Sequence, residues 1–178
     1  MKHIKTHRAL KIILPLLILT SLWGCERDDI CSSETPTTPH LVIHFYNVNA
    51  RNETKTVRHL SVHTENHPNY IIHDRTIDKI MLPLKIEAMD NLNTTRFVLT
   101  KDTDYLTDEN PTTVANVDII EVVYTPELIY VSRACGYKSV FNDLITTRET
   151  DDDNWIIDFE VINTTVNDEN AAHINIYH

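Results

Sequence analysis

The chain has 178 residues, with 26 acidic and 16 basic side chains. The first 24 residues hold four of the bases and none of the acids, so the other 154 carry 12 bases against 26 acids, a formal charge of −14. That length fits a single domain with a real hydrophobic core. Negative charge repels phosphate groups, which argues against a nucleic-acid partner and against electrostatic attachment to anionic lipid.

The first 25 residues have the layout of a bacterial lipoprotein signal. A start with four Lys or Arg side chains precedes an apolar run over residues 12–19, and the sequence LWGC then ends at Cys25. This pattern predicts a signal peptide over residues 1–24, removed during export. Cys25 then becomes the lipidated first residue, so we expect a protein anchored by lipid in the outer membrane, on its periplasmic or cell-surface face.

The same start permits two other interpretations. A transmembrane helix is disfavoured, because residues 12–23 span only about 18 Å of a roughly 30 Å hydrocarbon core. An ordinary secretory signal with a chance cysteine stays open, and Trp23 stands where most lipoprotein signals carry a small residue. The acidic segment at residues 26–29 is either a solvated spacer or resembles the signals that export some lipoproteins to the cell surface.

Three cysteines are present, and assigning Cys25 to lipid leaves Cys31 and Cys135 as an even pair. A bridge between them would close a loop of about 105 residues and stabilise the fold by up to roughly 4.7 kcal/mol. It would also hold the folded domain close to the membrane, since Cys31 lies only six residues after Cys25. The alternative is two buried free thiols.

The chain after the signal favours β-structure throughout. Residues 25–39 form a lipid-anchored linker rich in Pro and Thr, and from His40 the apolar residues alternate with a period of two. No window keeps the apolar stripe of a long helix. Polar clusters separate the predicted strands, which cover residues 41–46, 57–63, 70–73, 79–84, 95–100, 117–124, 128–133, 137–144, 155–162 and 173–177.

These short strands predict an all-β fold over residues 40–178, an antiparallel, immunoglobulin-like β-sandwich of about 8–10 strands. Gly136 is the only glycine after the signal, so Asn and Asp must supply the left-handed turn conformations. Pro83 places its strand at an edge or a bulge. The strongest core prediction is the strand in which Trp155, Ile157, Phe159 and Val161 share one face.

Several blocks of the sequence resemble an uncharacterised family of Bacteroidota envelope lipoproteins. The most specific is IYVSRACGYKSVFNDL at residues 129–144, supported by CERDDIC at 25–31, LVIHFYN at 41–47, DNWI at 153–156, VINT at 161–164 and AHINIYH at 172–178. The resemblance implies an envelope lipoprotein in which Cys31 and Cys135 pair. It implies no reaction, and it does not extend to the histidine-rich stretch at residues 59–73.

That stretch holds the candidate metal ligands. On a continuous strand, His59, Ser61, His63, Glu65 and His67 would share one face, with neighbours about 7 Å apart. His63, Glu65 and His67 are therefore candidates for zinc or copper, although a solvated polar face is the preferred interpretation and no cofactor is expected. The acidic clusters at residues 102–104 and 151–154 lack an EF-hand pattern, which favours solvated hairpin tips over calcium sites.

The scarcity of glycine limits the enzyme classes. One glycine after the signal cannot supply a nucleophile elbow, a P-loop or a dinucleotide fingerprint. We therefore expect no catalytic residues and a non-catalytic binding, assembly or structural module of the envelope, with an envelope protein or a glycan as partner. A metal-binding lipoprotein and a carbohydrate-active hydrolase are the alternatives, because paired carboxylates need only be close in space.

Overall fold

The structure is a computed structural model that describes residues 30–32, 35, 37–106 and 113–178. The predicted signal peptide and the lipidation site Cys25 lie outside these residues. The chain divides into two compact units, one comprising Met1–Thr35 with Ser132–Gly136 and the other Pro36–Val131 with Tyr137–His178. Within the described ranges, no helix has the length and hydropathy to cross a bilayer.

Strands dominate the described residues, as the alternation predicted. The ten strands and one short 3₁₀ helix are β1 (Leu41–Asn47), β2 (Ala50–Thr54), β3 (Val57–Thr64), β4 (Tyr70–Ile77), β5 (Lys79–Leu82), β6 (Asn93–Lys101), the 3₁₀ helix Thr103–Leu106, β7 (Asn116–Ser132), β8 (Gly136–Arg148), β9 (Asp158–Val161) and β10 (Ile174–Tyr177). The all-β class is confirmed. The immunoglobulin-like topology stays a prediction.

The strands form two five-stranded sheets, consistent with a β-sandwich. The first has the order β2-β1-β10-β9, with β5 also paired to β1, and the second has the order β4-β3-β6-β7-β8. The pair β1 and β10 is parallel, with Ile43 opposite Ile174, so the first sheet is mixed where we predicted an antiparallel one. The two strands lie at opposite ends of the domain sequence, which provides the long crossover that parallel pairing requires.

Alternating residues of both sheets build the core. In β1, Leu41, Ile43 and Phe45 are completely buried, and Phe97 and Leu99 of β6 are buried as well. All five belong to one hydrophobic cluster that draws on both sheets. Burying each such side chain stabilises the fold by about 1.5–3 kcal/mol, which explains why the period-two pattern located these strands correctly.

Aspartate replaces glycine where the backbone turns left-handed. Among the described residues, positive φ angles occur at Asp74, Asp90, Asp102 and Asp143, between 49° and 57°, and at His59 with 45°. Gly136 follows the same pattern with a φ of 69°. The prediction that Asx residues take over this task is confirmed, since the short Asp side chain tolerates this region by bonding to nearby backbone.

The predicted core strand around Trp155 is wrong in its first half. Strand β9 begins only at Asp158, and Ile156 rather than Ile157 enters the core, leaving Ile157 57% exposed. The cause is Asp118, whose buried carboxylate accepts hydrogen bonds from the backbone N–H groups of Trp155 (3.2 Å) and Ile156 (2.9 Å). In a strand, successive N–H groups point to opposite edges. Because the N–H groups of Trp155 and Ile156 both point to Asp118, the alternation of buried and exposed side chains is broken before β9 starts.

Two further strands differ from prediction. β7 runs unbroken through Pro126, where we predicted two separate strands. Its ladder with β6 ends at Tyr124, so no β6 partner needs the N–H group that proline lacks. β2 was not predicted, because its sequence ARNET is polar and exposed and carries no alternation.

Candidate functional site

A cleft of about 590 Å³ lies in the larger unit. Three segments line it: the turn after β3 at residues 64–67, the stretch after β5 at 83–85 and the start of β6 at 94–96, together with Asn69, Ile71 and Glu87. The volume lies in the range of small-molecule and peptide-binding clefts. Two sequence features place these segments at the cleft. A turn follows the last residue of β3, and Pro83 follows the last residue of β5.

One wall of the cleft is pinned to the core by a buried hydroxyl network. The Lys85 N–H donates to Thr95 Oγ1 at 3.1 Å, and Tyr124 Oη donates to the Lys85 carbonyl at 2.5 Å. Tyr124 Oη and Thr95 Oγ1 also lie 2.5 Å apart. Burial raises the pKa of Tyr124, so the phenol stays a hydrogen-bond donor at every physiological pH. The backbone of Lys85 is therefore held rigidly against β6 and β7.

The loop that follows this wall is organised by Asn93. Its amide oxygen accepts from the N–H groups of Glu87 (2.6 Å) and Ala88 (3.1 Å), and its amide nitrogen donates to the carbonyls of Ala88 (2.6 Å) and Asn91 (2.8 Å). Asn93 is only 2% exposed, so these bonds are shielded from water. This buried amide thus satisfies backbone groups of a loop that lies outside the strand ladders, alongside the hydrogen bond from the Asp90 N–H to the Pro126 carbonyl at 2.9 Å.

Next to Thr95, the cleft lining includes Arg96, which is the centre of a four-membered charge cluster. The guanidinium contacts Glu65 through Nε at 2.7 Å and Nη2 at 3.3 Å, Glu121 at 3.2 Å and Glu149 at 2.6 Å. The hydrogen bonds that Arg96 donates to Glu65, Glu149 and Glu121 raise the pKa of Arg96 far above its ordinary value. Glu121 lies directly opposite Arg96 in the β6–β7 register, and Glu65 follows the last residue of β3.

Charges within the cleft balance one another. Glu65 is paired with Arg96, and Glu87 forms an ion pair with Lys85. The remaining lining includes the buried Leu84 and the partly exposed Ile71. A cleft with an apolar floor and a neutralised polar rim suits a ligand that combines apolar surface with uncharged hydrogen-bonding groups.

The candidate metal ligands take separate positions. His63 Nδ1 bonds to the Thr64 carbonyl at 2.9 Å, and the His63 ring packs edge-on against Tyr70 at 5.7 Å. Glu65 faces Arg96, and His67 lies in the turn beyond the end of β3 at Thr64. Within the described part of the chain, no three His, Cys, Asp or Glu side chains come together as metal ligands. The predicted common face is interrupted because His59 has a positive φ and β3 ends at Thr64.

The other polar residues of this stretch form a second, smaller cluster on β3 and β4. His59 Nδ1 lies 2.6 Å from Asp74 Oδ1, and this contact with Asp74 raises the pKa of His59. The buried Ser61 Oγ accepts from the Asp74 N–H at 2.9 Å and lies 3.3 Å from His73 Nδ1. These bonds stabilise the irregular register between the two strands.

Cys31 and Cys135 form a disulfide with their Cα atoms 4.9 Å apart. Both belong to the smaller unit, and the bridge links residues 104 positions apart in sequence. The Cys135 N–H donates to Ser132 Oγ at 3.0 Å, which closes the turn between β7 and β8. The pairing implied by the family resemblance is therefore present, and the alternative of two free thiols is not.

Arg96, Tyr124 and Asn93 were not singled out from the sequence. Arg96 stands in an ordinary alternating strand, and its partners Glu121 and Glu149 lie 25 and 53 residues further along the chain. Asn93 carries a weak signal, since a polar side chain at the first position of a strand often organises the preceding loop. Sequence spacing alone could not bring these groups together.

The described residues form a β-sandwich with a cleft in its larger unit and a disulfide at the turn between β7 and β8. Residues 59–178 match the model of a family described as a family of unknown function, DUF6452. The match covers more than half of the chain, which therefore belongs to this family. It includes the histidine-rich stretch and leaves residues 1–58 outside. Neither a curated protein nor a solved structure matches the chain.

Proposed function

We propose that this protein is a lipid-anchored component of the bacterial cell envelope, attached through Cys25, and that its cleft is a non-catalytic binding site for an envelope protein or glycan. The signal layout at residues 1–25 and the resemblance to Bacteroidota lipoproteins support the anchor. The disulfide supports an oxidising compartment, since such bridges are rare in cytosolic proteins.

The observation that carries the binding role is the charge balance of the cleft. Arg96 is held by three carboxylates and Lys85 by Glu87, so neither cation is available to capture an anion. An anionic ligand would also meet a domain with a formal charge of −14. The apolar floor at Ile71 and Leu84, with amide and hydroxyl groups around it, favours an uncharged peptide segment or a neutral sugar chain.

Site-specific photocrosslinking in living cells tests this role. A photoreactive phenylalanine analogue replaces Ile71, which lines the cleft, or Ile157, which is 57% exposed and is not a cleft-lining residue. We expect one discrete crosslinked species from position 71 and none from position 157. The same variant with Tyr124→Phe, which loosens the cleft wall, is expected to crosslink less.

Two outcomes would contradict the proposal. Identical crosslinks from both positions would show that contact is nonspecific, and absence of radiolabelled fatty acid from the wild-type protein would remove the anchor. Incorporation of label into the wild type but not into Cys25→Ser is the expected result.

A second candidate is a carbohydrate-active hydrolase, because the cleft contains two carboxylates, Glu65 and Glu87. Both are ion-paired with a cation in the structure, which favours binding over chemistry. Release of reducing sugar from envelope glycan by the wild type, lost in both Glu65→Gln and Glu87→Gln, would favour the hydrolase instead. The metal-binding alternative lacks a comparable arrangement, since Glu65 is engaged by Arg96.

A further inference from the structure

The second half of β7 extends beyond the end of its ladder with β6. The ladder between β6 and β7 ends at the pair Asn93 and Tyr124, whereas β7 continues to Ser132 alongside β8. We refer to residues 128–131 of β7 and 137–138 of β8 as the hairpin arm, because the flanking Pro126, Val140 and Phe141 are buried. The arm is a two-stranded ribbon, and such ribbons have little core of their own to bury apolar side chains.

The hairpin arm exposes large apolar side chains on consecutive positions. Leu128 is 50% exposed, Ile129 40%, Tyr130 58% and Tyr137 66%. The rings of Tyr130 and Tyr137 pack against each other across the two strands, with centroids 5.5 Å apart. Consecutive exposed apolar residues on an ordered strand indicate a surface that is covered by something else.

The same segment departs from the charge of the protein. Residues 128–138 contain no acidic side chain and two basic ones, Arg133 and Lys138, although the exposed Glu127 directly precedes them and the chain after the signal carries a formal charge of −14. Tyrosine rings flanked by Lys and Arg are typical of protein surfaces at the boundary between lipid headgroups and water. The composition therefore favours a lipid surface over a charged protein partner.

Covalent connectivity sets an upper limit on the distance between Cys25 and the hairpin arm. Cys25 precedes Cys31 by six residues, which span at most about 21 Å. The disulfide then leads to Cys135, with a Cα separation of 4.9 Å, and Tyr137 follows two residues later. Full extension along this path places the Tyr137 backbone within about 33 Å of the anchor. Without the bridge, 112 residues would separate Tyr137 from Cys25.

We propose that the hairpin arm rests in the headgroup region of the membrane that holds the lipid on Cys25, with Tyr130 and Tyr137 as interfacial anchors. This inference rests on the proposed lipid attachment and adds a second, protein-based contact with the bilayer. It gives the domain a defined orientation on the membrane, because one lipidated residue and one ribbon together restrict its rotation.

Tryptophan reporters test the inference in the full-length lipidated protein, reconstituted into phosphatidylcholine vesicles with or without bromine on the acyl chains. Tyr130→Trp places the reporter on the hairpin arm, and Ile157→Trp is the control at a position that is 57% exposed. Neither side chain belongs to the core, so both variants are expected to fold. Emission of wild-type Trp155, which is 7% exposed, is subtracted as background. Flotation of the vesicles on a density gradient measures attachment separately.

We expect both variants to float and brominated lipid to quench Tyr130→Trp by about twofold while Ile157→Trp keeps its emission, as an interfacial arm requires. A floating protein in which neither reporter is quenched would overturn the arm contact and leave the lipid anchor intact. Equal quenching of both reporters would overturn the defined orientation. A protein that does not float at all would overturn the anchor and the inference together.

Discussion

The imidazole Nδ1 of His173 accepts a hydrogen bond from the backbone N–H of Val42 at 3.0 Å, where the parallel pair β1 and β10 begins. A ring nitrogen that accepts a bond carries no proton, and burial lowers the pKa of His173. At the other end of β10, burial lowers the pKa of the His178 side chain to about 4. The backbone N–H of His178 donates to the Tyr46 carbonyl at 3.1 Å. Two buried neutral histidines therefore flank β10.

Acidification is expected to destabilise this sheet. The folded pKa of His178, about 4, lies below its unfolded value of 6.5, so the unfolded state binds more protons between these values. Stability then rises with pH through that window and is lost as the pH falls, by about 2 kcal/mol at pH 5 from His178 alone. Urea unfolding between pH 7 and pH 5 measures the slope.

His178→Phe should reduce that slope, because the ring contacts with Phe45 and Trp155 are kept while one of the two buried titrating groups is removed. The exposed His67 provides the matched control, and His67→Gln should keep the wild-type slope. An unchanged slope in His178→Phe would show that His178 does not control acid stability.

Removal of the disulfide is expected to lower the free energy of unfolding by about 2–5 kcal/mol, because the bridge closes a loop across most of the domain. The double variant Cys31→Ser with Cys135→Ser is compared with Cys25→Ser, which keeps the bridge. Chemical unfolding and alkylation followed by intact mass measure the effect. Two alkylated thiols in the untreated wild type would contradict the bridge.

Tyr124→Phe is expected to destabilise the protein by about 1–2 kcal/mol, since it leaves the Lys85 carbonyl without its phenol donor in a buried site. Tyr130→Phe removes the same atom from an exposed ring and should change stability by less than about 0.5 kcal/mol. Thermal unfolding of the two variants provides the comparison. Equal effects would mean that the hydroxyl network does not hold the cleft wall.

Asp118→Ala is expected to cost about 2–3 kcal/mol, because the N–H groups of Trp155 and Ile156 lose their buried acceptor. The loss should appear at pH 7 even though burial raises the pKa of Asp118 and makes its charge unfavourable. Asp152→Ala, at an exposed turn, is the control, with an expected change below about 0.5 kcal/mol. If Asp118→Ala left the free energy of unfolding unchanged, the segment before β9 would be held by packing alone.

Much of the fold was readable from local pattern. Alternation located β1, β3 and β6 to within two residues, because a half-buried strand must place every second side chain in the core. The lack of glycine indicated that Asn and Asp would supply the left-handed positions, and Asp does so at four of them. The period-two pattern failed before β9. There the backbone N–H groups of Trp155 and Ile156 both donate to the Asp118 carboxylate, which lies 37 and 38 residues earlier in the chain.

The sequence by itself determined the all-strand character, the acidic charge, the signal-like start and the pair of cysteines left over for a bridge. These properties depend on composition and on residues that are neighbours in the chain, so the sequence is sufficient to predict them. Only the tertiary structure decided that Arg96 gathers three glutamates, that Tyr124 fixes Lys85, and that β10 pairs in parallel with β1. Each of these joins groups distant in the chain, and their contacts follow from how the sheets pack rather than from any local preference.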